Sequence, residues 1–229
     1  MQNTFFPNRQ VVTIQVVNTA LLATVLTIFW LNKKLGVQLA VFTAIAELAA
    51  GMVPARLLGL KPLKQFEPKL LLIARNGKWL GIWTSLWFLL HATLATLTYF
   101  GVPIGLGQLL HNDTQREIIL GATSLTIFLL LLGLSNKWSY AHIKWWKQIN
   151  MLVWLVIPFA FVHSFLAAHA FRNALPFLPS WILLALIAVV GISSVFRKKR
   201  DYFAFWRVWL MLLGALIATL VVLFYPAIL

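Results

Sequence analysis

Two histidines, His91 and His163, sit deep inside two different long apolar stretches of the chain. An ionisable side chain in hydrocarbon is costly and normally has a task. Two imidazoles supplied by separate membrane helices suit the axial ligation of one haem iron. A zinc centre fits the residues less well, because no Cys, Asp or Glu joins the pair at ligand spacing. The plainer alternative is that each imidazole simply hydrogen-bonds a neighbouring helix. The remaining histidines are shallower: His142 and His111 fall in loops, and His169 at the end of an apolar segment.

Glu47 is the one acid in the interior of an apolar segment. An intramembrane carboxyl is a candidate for proton handling, here at a proton or quinone site. Its structural alternative is a neutral acid bonded to an adjacent helix.

The elements that position these groups follow from composition. The chain has 229 residues, 61% of them hydrophobic and 10% charged. Soluble domains carry about 25% charged residues, so this is an all-α, polytopic membrane helical bundle. Spans are expected at 11–31, 36–57, 78–100, 117–135, 147–169, 180–196 and 206–226, about seven in all. They form a single transmembrane domain over 1–229, with no linker and no internal repeat. Pro54, Pro103, Pro176, Pro179 and Pro226 fall near span ends, while Pro158 predicts a kink inside the fifth. The first apolar stretch lacks a basic start and a clear small-residue cleavage site, so it reads as a retained helix. With no cysteine, disulfides and thiolate-ligated metal or haem are excluded.

Charge orients the bundle. If seven spans alternate, 15 of the 19 Lys and Arg fall on one face and 4 on the other. The positive-inside rule then places the N-terminus in the cytoplasm and the C-terminus outside. The excess of +14 reflects basic loops meeting anionic headgroups, with no nucleic-acid partner implied. Arg197-Lys198-Lys199-Arg200 reads as an inner-face anchor, and Trp79, Trp145, Trp146, Trp206 and Trp209 as an interfacial aromatic belt. His91 lies thirteen residues after Lys78 and His163 sixteen after Lys147. These are rises of about 20 and 24 Å. Both histidines therefore belong in the outer half of the bilayer, with the haem between the third and fifth helices. Gly77, Gly81, Ser85, Ala92 and Thr96, and then Ala160, Ser164, Ala167 and Ala168, form small-residue stripes beside them. Such stripes admit a flat ligand or plain helix packing alike.

The run Ala74-Arg75-Asn76-Gly77-Lys78-Trp79-Leu80-Gly81-Ile82-Trp83, leading to His91, resembles the third helix of the ferric-reductase-like transmembrane superfamily. Lys144-Trp145-Trp146-Lys147-Gln148-Ile149-Asn150-Met151-Leu152-Val153-Trp154, followed by His163, is similar to its fifth helix. Met52-Val53-Pro54-Ala55-Arg56 resembles the end of the second helix in the haem-binding membrane subunit of bacterial methionine-sulfoxide reductase systems. The likeness covers about 36–196, with the span at 206–226 an addition. It implies haem ligation by paired histidines on helices three and five. The helix-five position of an inner haem ligand is Asn150 here and its helix-three counterpart is Gly77, so the resemblance implies one haem b, in the outer half. Arg172, at the outer end of span five, is the candidate partner for its propionates.

The functional expectation is a b-type haem protein of a bacterial inner or internal membrane. It would pass electrons between a quinone or protein donor and an acceptor at the outer face, as part of an oxidoreductase system. The chain carries no flavin or nicotinamide domain and no dinucleotide-binding glycine pattern, so reductant must come from a redox partner. The alternative is a redox-inactive accessory or assembly subunit of a larger membrane complex. A small-solute transporter would predict internal repeats or broken, charged midplane helices, and the sequence has neither.

Overall fold

The computed structural model describes residues 9–58, 61–99, 115–134, 142–170, 175–197 and 202–224. Every regular element among them is helical. In chain order these are α1 (Arg9–Leu31), α2 (Lys33–Leu57), a 3-10 segment (Lys61–Phe66), α3 (Glu67–Arg75) and α4 (Gly77–Tyr99). There follow α5 (Gln115–Leu134), α6 (Trp146–Asn150), α7 (Val153–Ala170), a 3-10 turn (Leu175–Phe177), α8 (Leu178–Arg197) and α9 (Tyr202–Phe224). Six segments are long and apolar enough to cross a membrane, and a seventh apolar helix, Ile118–Leu134, is shorter. A helix satisfies its own backbone, which is why hydrocarbon selects it. The chain is a multi-pass helical membrane protein.

Two compact units, Met1–Leu94 and Ala95–Leu229, divide the chain inside α4. The first is built around α2. Asn32 alone separates α1 from α2, and its side chain accepts from the Leu35 amide at 3.1 Å as the helix N-cap. So tight a reversal brings the two backbones together at Gly36, where a Cβ would come within 2.5 Å of the Phe29 Cα. Only glycine fits there. One face of α2 is then buried and mostly small: Gly36, Ala40, Ala44 and Ala49, with Leu48 among them. Gly51 continues it to α4, where its missing Cβ would contact Leu80. α3, an amphipathic helix absent from the sequence expectation, packs against α2.

In the second unit α7 is the centre, packed against α5, α8 and α9. Leu120, Phe159 and Ala218, one from each of α5, α7 and α9, make its innermost cluster. Trp154, 1% exposed, fills the space left by Gly191 of α8, and Arg207 of α9 lies 6.0 Å from its ring centroid. That distance is at the outer limit of a cation–π contact. Trp146, expected in an interfacial belt, is buried instead, whereas Trp145, Trp206 and Trp209 are exposed.

The fifth span is interrupted at Met151–Leu152, between α6 and α7, seven residues before the proline expected to bend it. Met151, Leu152, Trp154 and Leu155 each donate to a carbonyl three residues back rather than four. Pro158 itself lies within continuous helix. A proline has no amide for the carbonyl four residues earlier and crowds it. Here that carbonyl is Trp154's, and the tightened turn sits just ahead of it. Gly214 of α9 comes against the Leu155 carbonyl, where a Cβ would stand at 2.8 Å.

Candidate functional site

His91 is half-buried on α4, and its Nδ1 lies 3.1 Å from the backbone carbonyl of Val37 on α2. A carbonyl can only accept, so this hydrogen bond places the ring proton on Nδ1. The neutral imidazole then carries its lone pair on Nε2. An Nδ1–H held by a backbone carbonyl is the usual outer contact of a metal-binding histidine, fixing both ring plane and tautomer. The donor chemistry at His91 thus fits an axial ligand.

His163, half-buried on α7, lies against Gly121 of α5. A Cβ at position 121 would stand 3.0 Å from Cε1, 3.1 Å from Nδ1 and 3.5 Å from Nε2. The Cε1–Nδ1 edge therefore faces α5, with Nε2 the more distant of the two nitrogens. One residue on, Ser164 turns towards α8, accepting from Trp181 Nε1 at 2.9 Å and donating to the Phe161 carbonyl at 2.9 Å. Phe161, Phe165 and Phe177 surround the Trp181 ring. The small-residue stripe of the fifth span is consequently used, at Ser164 at least, for packing against α8. In the third-span stripe, Gly77 faces Gly51 of α2, while a Cβ at Gly81 would meet open space.

The two histidines belong to different units. Asn150 is exposed at the end of α6. Arg172 and His111 lie outside the described residues, His142 is exposed, and His169 falls near the C-terminal end of α7. Among the described residues, no three His, Cys, Asp or Glu side chains cluster to hold a metal ion.

A second constellation lies in the first unit. Asn18 of α1 is 1% exposed in the middle of an apolar helix. Its Oδ1 accepts from Trp87 Nε1 at 2.7 Å, and its Nδ2 donates to Glu47 Oε1 at 3.0 Å and to the Ile14 carbonyl at 3.1 Å. An indole N–H can only donate, so Trp87 fixes which way the amide points. Two further bonds tie α1 to α4 and to the residue just before it: Trp83 Nε1 to Gln15 Oε1 at 3.2 Å, and Asn76 Nδ2 to Gln10 Oε1 at 3.0 Å. Glu47 bonds an adjacent helix, as one of the two sequence expectations has it, and is thus one member of a three-helix network. Asn18 and Trp87 were not anticipated. The available signal was that Gln15 and Asn18, three apart, share a face of α1, as Trp83 and Trp87, four apart, share one of α4.

No family model, no curated protein and no solved structure matches this chain.

Proposed function

We propose that this chain is a b-type haem membrane protein that passes electrons between a quinone or protein donor and an acceptor at the outer face. His91 and His163 would be the axial ligands. The observation that supports this best is the His91 contact with Val37, the kind of backbone contact that orients a ligating imidazole. A haem held there would supply one-electron chemistry.

The residues of the chain would do the rest. The Val37 carbonyl orients one imidazole, and the bare backbone at Gly121 seats the other. Arg172 is the proposed propionate partner, and Asn150 the position where an inner ligand is lost. The ferric-reductase-like resemblance of residues 36–196 supports the same reading.

Pigment extraction from the chain purified out of membranes tests it. One protohaem per chain, lost in His91→Ala, is the expected result. A colourless, monodisperse protein, expressed with haem in supply, would contradict it.

A redox-inactive accessory subunit is the second reading. It is favoured by the close seat of His163 on Gly121, an arrangement that helix packing alone also satisfies. Stable co-purification with a larger membrane complex, without pigment, would select it.

A further inference from the structure

Two buried side-chain oxygens of the first unit have no hydrogen-bond partner: Glu47 Oε2 on α2 and Thr84 Oγ1 on α4. Thr84 is wholly buried. Eight other threonines in the helices (13, 24, 27, 43, 93, 123, 126 and 219) donate to the carbonyl four residues back. Thr84 does not make that bond, so its hydroxyl is left without a partner. Buried polar groups without partners are rare and call for a specific explanation.

Register brings the two oxygens to one level. Gly51 of α2 lies against Leu80 of α4, and Val37 of α2 meets His91 of α4. Between those anchors the helices run antiparallel. Glu47 is one turn from Gly51, and Thr84 is one turn from Leu80 in the matching direction. Asn18 reinforces the level by bonding both Glu47 and Trp87, and Trp87 is three residues beyond Thr84.

Asn18 cannot serve the second carboxyl oxygen. Both its amide hydrogens are engaged, one at the Ile14 carbonyl and one at Glu47 Oε1. Among the described residues Glu47 has no ion-pair partner. An unpaired carboxylate in hydrocarbon costs far more than a neutral acid. Neither oxygen is open to a bulky guest, since both are fully covered. The smallest guest that could serve both is a single water, since buried waters typically make about three hydrogen bonds to otherwise unmatched polar groups.

We propose that Glu47 is an intramembrane proton-binding site, its acid proton carried on Oε2 and hydrogen-bonded through one bound water to Thr84 Oγ1. Binding forms the Oε2–H bond at the expense of one proton, and release breaks it and returns that proton. Asn18, itself held by Trp87, is the positioning residue that keeps Oε1 as the carbonyl oxygen. The site lies wholly in the first unit and does not depend on whether haem is bound.

Infrared spectroscopy of the full chain in lipid vesicles tests it. The wild type should show a protonated-carboxyl carbonyl stretch that shifts in D2O and vanishes in Glu47→Gln. That amide keeps the Oε1 acceptor for Asn18 and so preserves the fold. Thr84→Val should displace the band, and Thr84→Ser should restore it. Superimposable wild-type and Glu47→Gln spectra in this region would overturn the proposal, as would a band unmoved by Thr84→Val. Visible absorption of the same samples reports haem separately, so either reading can fail without the other.

Discussion

The indole of Trp87 donates to the amide oxygen of Asn18 at 2.7 Å, both side chains being 1% exposed. A donor-only group thereby fixes the orientation of an ambivalent one, and the amide hydrogens are left to face Glu47 and the Ile14 carbonyl. Between membrane helices, where lipid is as apolar as leucine, such bonds and close packing hold the assembly together.

Asn18→Ala should therefore destabilise the first unit. It leaves the Trp87 N–H buried without an acceptor, at a cost of about 1–3 kcal/mol. Equilibrium unfolding in mixed micelles measures this. Asn18→Ala combined with Trp87→Phe should cost less than the sum of the single changes, because the orphaned donor is gone.

Gly191 is expected to tolerate no side chain. A Cβ there would run into the Trp154 ring, which is also held beneath Arg207. Overpacking of this kind costs about 1–3 kcal/mol. Thermal unfolding of Gly191→Ala should show a lowered Tm, partly recovered when Trp154→Phe shortens the ring.

Gly121→Val should displace the imidazole of His163, since even a methyl group would stand 3.0 Å from Cε1. Under the haem reading this lowers haem content in the purified protein several-fold. Gly133→Val, on the same helix with open space at its Cβ, should leave it unchanged. Equal loss in both variants would show that α5 simply rejects the larger residue.

Orientation is open to direct chemistry, because the chain contains no cysteine. A single Lys64→Cys should be labelled by an impermeant maleimide only after the cytoplasmic face is exposed. Lys33→Cys should react from the outer face of intact cells. The reverse pattern would invert the topology drawn from the 15-to-4 division of basic residues.

The helix boundaries were readable because apolar length and local punctuation agree. α1 ends at Leu31 where Asn32 caps the next helix, and α4 starts at Gly77 beside Asn76. The break at Met151–Leu152 was not, although Pro158 pointed to the right helix. A proline's strain is relieved wherever the preceding turn can tighten, and neighbours such as Gly214 influence where that is. α3 was missed because nine residues are too few for a span, and its packing partner, α2, is not evident from its own sequence. Glu47 stood out as a lone acid, whereas its partners did not. Asn18 is a single polar residue in an apolar run, and nothing in one helix's sequence reveals which neighbour it faces.

The most direct measurement of the central claim is the dithionite-reduced minus oxidised absorption spectrum of the purified chain, recorded for wild type, His91→Ala and His163→Ala. The haem reading predicts b-type bands in the wild type and their loss in each variant. Bands that survive both substitutions, or a wild type with none, would contradict it.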